Sequence, residues 1–111
     1  MDENEKEEIY QDFKEKVNMQ PKEIEDWLET EESKSVGYSE DGGESVGHKS
    51  GKRIVEIKHT KKAELSNEDY KHMKKVNGYI ARHLAQGPEE DMENSDWRYS
   101  LMNWGHDPCA D

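Results

Sequence analysis

The most constraining feature of this sequence is the punctuated segment between Ser66 and Pro88. Ser66 is a typical N-cap residue, and Asp69 stands three positions later, close to the pattern of a capping box. Gly87 followed by Pro88 is a typical helix stop. Apolar residues between these signals recur at helical spacing, and the expected core stripe is Tyr70, Met73, Val76 or Asn77, Ile80 and Leu84. The segment therefore predicts a long helix over residues 67–86.

Two further helices are predicted before this segment, near the start of the chain. The first covers roughly Glu5 to Asn18, where three apolar residues fall on one stripe: Ile9, Phe13 and Val17. The second is short and runs from Pro21 to about Thr30, because proline is tolerated in the first turn of a helix. Only a turn separates the two, which favours an antiparallel or steeply crossed pair.

Two more helices complete the prediction. Residues 51–62 contain a β-branched run that fits either a helix or a strand, and the basic residues at the end of the run favour a helix. The last is a short aromatic helix with Ser95 as N-cap, and its stripe before Gly105 is Trp97, Leu101 and Trp104.

Segments of a different character separate these helices. Residues 33–50 are rich in glycine and serine and predict a loop, whereas residues 87–95 predict an acidic hinge. Residues 1–4 and 107–111 are expected to fray. We therefore predict an all-α fold, a small single-domain bundle of four to five helices with a long Gly-rich loop between helices two and three.

The amino-acid composition bears on whether such a chain folds or stays disordered. Hydrophobic residues make up 30% of the chain and charged residues 39%, a balance typical of disordered proteins. Three Trp, five Tyr and five Met oppose this, because large side chains bury much area at few positions. We expect a small, marginally stable domain.

Charge is distributed unevenly along the chain. Residues 1–45 carry 5 basic and 16 acidic side chains, a net charge of -11, and residues 87–111 carry 1 basic and 7 acidic, a net charge of -6. Residues 46–86 carry 10 basic and 4 acidic side chains, a net charge of +6. An overall charge of -11 argues against a generic nucleic-acid or membrane binder, but the central block has the opposite sign.

The central block supplies the candidate binding residues. Nine of its cations precede, line or close the predicted third and fourth helices, and they are Lys49, Lys52, Arg53, Lys58, Lys61, Lys62, Lys71, Lys75 and Arg82. A helix pair of this kind can present cations to the phosphate backbone of DNA. Three alternatives stay open. The cations form an ordinary solvated face, the acidic segments fold over them, or the chain is a protein-interaction module that uses its acidic termini or its Trp-bearing end.

Other residues of catalytic or metal-binding type do not form a recognised pattern. Cys109 is the single cysteine, and His106 with Cys109 falls short of the four ligands of structural zinc. The glycines at positions 42, 43 and 47 lack the spacing of a phosphate-binding loop. We expect no enzymatic activity, no metal, no cofactor and no small-molecule substrate. The start of the chain lacks a signal peptide and no apolar run is long enough to span a membrane, so we expect a cytoplasmic protein with no membrane partner.

Three stretches carry a resemblance to a known family. They are GESVGHKSGKRIVEI, HMKKVNGYIARHLAQGP and WRYSLMNWGHDP. Together they resemble a family of small bacterial and fungal proteins of unknown function that are often labelled DNA-binding proteins, over roughly residues 12 to 108. The resemblance implies one compact domain, and the label implies DNA as a partner. We therefore expect a non-enzymatic DNA-associated protein, with the protein-interaction module as the alternative.

Overall fold

The computed structural model describes residues 1–37, 39, 42–87 and 92–110 of the chain. Within these residues every element of regular secondary structure is helical, which confirms the predicted all-α bundle. Six α-helices and one 3-10 turn, Lys62–Glu64, are present in the described part. The α-helices are α1 (Glu3–Lys16), α2 (Pro21–Leu28), α3 (Glu31–Ser35), α4 (Val46–Lys58), α5 (Asn67–Gln86) and α6 (Asp96–Asn103).

The helix that the sequence marks most clearly has the predicted bounds. The N–H of Asp69 donates to Ser66 Oγ at 3.1 Å, and the N–H of Ser66 donates to Asp69 Oδ2 at 3.0 Å. This reciprocal pair is a capping box and starts α5. Gly87 follows the helix with a φ of +69°, a conformation that favours glycine. Pro88 and the rest of the predicted hinge up to residue 91 lie outside the described residues.

The predicted Gly/Ser-rich loop over residues 33–50 is wrong at both ends. Residues 31–35 form α3, and α4 begins at Val46 after the N-cap Ser45, whose Oγ accepts from the N–H of His48 at 3.0 Å. Helix α4 therefore starts before the predicted Gly51, and it ends at Lys58, short of the predicted Lys62. The predicted-loop positions 38, 40 and 41 lie outside the described residues.

Packing explains why glycine-rich sequence is helical here. A Cβ at Gly51 would lie 2.7 Å from the carbonyl oxygen of Asn103 and 2.8 Å from Leu28 Cδ2. Gly51 thus lets α4 approach its neighbours more closely than any other residue would, and the burial gained offsets the low helix propensity of glycine.

The core lies between two helix pairs. Helix α1 packs mainly on α5, α2 packs mainly on α4, and α6 contacts α2, α3, α4 and α5. The side chains that are fully buried include Ile24, Ile54, Met73, Ile80 and Leu101. Val76 and Asn77 are both buried, so both alternatives of the predicted α5 stripe face the core. Leu84, the last residue of the predicted stripe, is not part of the core, because its side chain is 39% exposed.

The chain ends differ from the expected fraying. Asp2 Oδ1 accepts from the N–H of Glu5 at 2.7 Å, so α1 is capped and begins at Glu3. Near the other end, the N–H of Asp107 donates to Asn18 Oδ1 at 2.8 Å, and Asn18 Nδ2 donates back to the carbonyl of Asp107 at 3.0 Å. Residue 111 lies outside the described residues. No helix in the described part of the chain is long and apolar enough to cross a membrane.

Candidate nucleic-acid interface

Four of the nine candidate cations are engaged in ion pairs. The pairs are Lys52 with Glu44 at 2.7 Å, Arg53 with Asp69 at 2.7 Å, Lys62 with Glu7, and Lys71 with Glu68 at 3.3 Å. Such surface pairs contribute little stability, but each places a carboxylate beside the cation. These four positions are therefore partly neutralised.

The other five cations have no ion pair with any described residue. They are Lys49, Lys58, Lys61, Lys75 and Arg82. Lys58 is only partly accessible, and burial lowers the pKa of its ammonium group. The other four side chains are exposed. These four are the positions at which the protein offers unpaired positive charge to a partner.

The candidate cations do not form one continuous surface. The charge of Lys58 interacts with Glu23 of α2 and Lys14 of α1, and the ammonium group of Lys62 lies 4.7 Å from the ring centre of Tyr10 in α1. The end of α4 therefore borders the acidic N-terminal helices. Lys75 and Arg82 of α5 lie at a different part of the surface, where they line a cleft that neither Lys58 nor Lys62 reaches.

Cations of α4 and α5 meet around His72. The Nε2 atom of this half-buried imidazole lies 3.0 Å from Ser50 Oγ of α4. Burial, followed by the positive charges of Arg53 and Lys75, lowers the pKa of His72 to about 4. The imidazole is therefore neutral at pH 7, and its charged neighbours are the cations Arg53 and Lys75 and the carboxylate of Asp69.

Next to this region, Lys75 and Arg82 line a cleft of about 280 Å³. They stand seven positions apart on one face of α5, and helical spacing puts Lys71 and Gly78 on that face too; these four positions form the basic stripe of the helix. Val46 and Gly47 at the start of α4 line the cleft as well, together with Trp104. The sequence prediction included the two cations but not the cleft.

A column of stacked aromatic rings lies beside this cleft, and two of its members, Tyr79 and Trp104, line the cleft. Neighbouring rings are nearly parallel, with interplanar angles of 11° to 14°, in the order His72, Trp104, Tyr79, His83 and Trp97. The closest pair is Tyr79 with Trp104, whose centres are 4.2 Å apart. The helical spacing of His72, Tyr79 and His83 beside the basic stripe was the signal in the sequence that could have revealed this column.

Asn103 is a positioning residue that sequence reasoning missed. Its side chain is 1% exposed, and its Oδ1 accepts from Trp27 Nε1 at 2.7 Å and from Ser33 Oγ at 2.5 Å. Its Nδ2 donates to the carbonyl of Ser33 at 3.1 Å. These bonds tie α2 and α3 to the end of α6, and so they fix the neighbouring Trp104.

Within the described residues, no three His, Cys, Asp or Glu side chains are close enough together to hold a metal ion. The Ser50 hydroxyl that faces His72 belongs to a residue that is 3% exposed, so a substrate does not reach it in this conformation.

Comparison with known proteins yields one family. No curated protein and no solved structure matches this chain. The sequence pattern of a family described as "Protein of unknown function (DUF3140)" matches residues 12–102, which is most of the chain. The chain therefore belongs to the DUF3140 family.

Proposed function

We propose that this protein is a non-enzymatic DNA-associated protein that contacts backbone phosphates through the exposed cations of α5. The observation that carries the proposal is the pair of Lys75 and Arg82, which are exposed, share one helix face and have no ion pair with a described residue. Seven residues of helix separate them by about 10 Å along the axis. Lys71 extends the stripe by one turn, and its exposed pair with Glu68 is weak enough for a phosphate to displace.

The position of the acidic N-terminal helix supports this proposal. Glu5 and Glu7 of α1 pair with Lys74, at 3.6 Å, and with Lys62. Neither partner belongs to the stripe of Lys71, Lys75 and Arg82. The ion pairs of the acidic segment therefore involve other cations of the central block. Glu8 and Asp12 line a groove with Arg82 but form no ion pair with it.

The test is a titration of the protein with fluorescent duplex DNA, followed by anisotropy at two salt concentrations. Affinity should fall with salt, with a log–log slope of about -0.9 per phosphate neutralised. Reversal of Lys71, Lys75 and Arg82 to Glu should abolish binding and leave the helical circular-dichroism spectrum unchanged. The matched control reverses three exposed cations outside α5 and outside the candidate set, namely Lys14, Lys22 and Lys34, and changes the net charge equally. No binding at low salt, or equal loss in both triple variants, would contradict the proposal.

The second candidate is a protein-interaction module. A group of exposed carboxylates on α2, on α3 and in the turn between them favours this candidate. These carboxylates form no ion pair with a described residue, and they are Glu25, Glu29, Glu31 and Glu32. The Trp-bearing end is less suited, because Trp104 is 4% exposed and Trp97 Nε1 donates to the carbonyl of His83 at 2.7 Å. Binding of a Lys-rich peptide together with failure to bind DNA would favour this candidate.

A further inference from the structure

The cleft beside Lys75 and Arg82 presents hydrogen-bond donors from several directions. Tyr79 and Ser100 contribute hydroxyl groups that also interact with each other, and burial raises the pKa of the Tyr79 phenol, so its O–H stays protonated and remains a donor. Among the described residues that line the cleft, both charged side chains are cationic and none is acidic. A region with this lining favours an anion over a neutral or cationic ligand.

The indole of Trp104 supplies an independent indication. Trp104 is 4% exposed, and a buried tryptophan usually finds an acceptor for its N–H. Trp27 Nε1 donates to Asn103 Oδ1, and Trp97 Nε1 donates to the carbonyl of His83. Within the described residues Trp104 Nε1 has no such acceptor. This atom lies at the wall of the cleft, 3.0 Å from the point where a Cβ of Gly47 would stand.

The start of α4 adds backbone donors at the same wall. The first residues of a helix have no intrahelical acceptor for their N–H groups. In α4 the N–H of His48 is taken by Ser45 Oγ and that of Lys49 by the Ser45 carbonyl. The N–H groups of Val46 and Gly47 remain, at the positive end of the helix dipole.

We propose that this cleft binds the phosphate of a phosphomonoester. A phosphomonoester carries about two negative charges at neutral pH, which matches the two cations of Lys75 and Arg82, and it has three terminal oxygens for the Trp104 N–H and the other donors. A backbone diester has one charge and two chain connections to accommodate. The volume of about 280 Å³ lies near the lower end of small-molecule sites, so the phosphate enters with only a small attached group.

This inference goes beyond the proposed DNA association, although both use Lys75 and Arg82. The surface proposal concerns diesters along a duplex. The cleft proposal concerns one terminal phosphate, carried either by a small metabolite or by the 5′ end of a nucleic-acid strand. Duplex DNA with 5′-hydroxyl ends tests the first alone, and inorganic phosphate tests the second alone.

The experiment follows the three indole N–H signals of ¹⁵N-labelled protein by NMR at constant ionic strength. Inorganic phosphate should shift the Trp104 signal saturably, whereas the Trp27 and Trp97 signals, which already donate inside the protein, should stay in place. A nucleoside 5′-monophosphate should act at lower concentration, and the unphosphorylated nucleoside should have no effect. A 5′-phosphorylated oligonucleotide that shifts the same signal identifies a strand end as the source, and one that does not identifies a free small phosphomonoester.

Variants make the test specific to the cleft. Lys75→Ala and Arg82→Ala should each weaken the phosphate response about tenfold or more, because each removes a charge-assisted contact. Lys14→Ala removes an exposed cation of α1 that does not line the cleft, and it should leave the response unchanged. Gly47→Ala should abolish it, since the added methyl group would stand 3.0 Å from Trp104 Nε1 while the helix is kept. No saturable shift of the Trp104 signal with inorganic phosphate or the monophosphate, or an undiminished shift in the Lys75→Ala, Arg82→Ala double variant, would overturn the proposal.

Discussion

The substitution Gly51→Ala tests the close packing of α4. An added Cβ would meet a backbone oxygen, that of Asn103, at 2.7 Å and the buried Leu28 side chain at 2.8 Å. Overpacking of this kind costs about 1–3 kcal/mol, and two contacts this short put Gly51→Ala in the upper part of that range. Alanine regains about 0.5–1 kcal/mol relative to glycine inside a helix. The net loss of unfolding free energy should be about 1–2 kcal/mol, or roughly 4–8 °C in Tm.

Gly78→Ala is the matched control. Gly78 also lies inside a helix, but a Cβ there would meet only the end of the exposed Arg82 side chain, at 3.0 Å from Nη1. Because that guanidinium can move aside, the helix-propensity gain should prevail and raise stability by about 0.5–1 kcal/mol. Urea denaturation of both variants measures the difference. A Gly51→Ala protein as stable as the parent would refute the close approach of α4 to α6.

Two further predictions concern the aromatic column. Trp104→Ala should lower the unfolding free energy by about 3–5 kcal/mol in urea denaturation, whereas Leu84→Ala, at a side chain that is 39% exposed, should change it by less than about 1 kcal/mol. The pKa of His72 is lowered to about 4, mainly by burial, from the value of 6.5 expected in the unfolded chain. The unfolded state therefore binds more protons between these values, and stability should fall as pH decreases from about 6.5 to 4. His72→Gln should reduce that slope, and an unchanged slope would contradict the assignment.

Local signals account for the parts of the fold that the sequence predicted well. The capping box of Ser66 and Asp69 depends on residues three positions apart, and the α5 stripe depends on helical period alone. The error in α4 has a non-local cause. Glycine within residues 33–50 indicates a loop unless a distant chain segment packs against it, and the packing partners of Gly47, Asn103 and Trp104, lie far away in sequence.

In the candidate site, too, the features that depend on local spacing were predicted and those that depend on distant contacts were not. Helical period placed Lys75 and Arg82 on one face, and that arrangement is present. Which cations are neutralised depends on contacts such as that of Lys62 with Glu7, which are separated by many residues and three intervening α-helices. Charge counts along the chain therefore indicated the sign of the central block but not which of its members are unpaired.

The small residues of α4 link the packing of the bundle to the cleft. Gly47, Ser50 and Gly51 lie on one edge of the helix. Gly51 admits the backbone at the end of α6, and Gly47 leaves open the space next to Trp104 Nε1. A side chain at position 51 would push the helices apart, whereas a methyl group at position 47 would fill part of the cleft. The effects of the two glycines can therefore be measured separately. Gly51→Ala should reduce stability with little direct effect on the cleft lining, and Gly47→Ala should obstruct the cleft while the helix persists. Equal effects of both substitutions on stability and on the Trp104 indole signal would show that the cleft is only a by-product of helix packing.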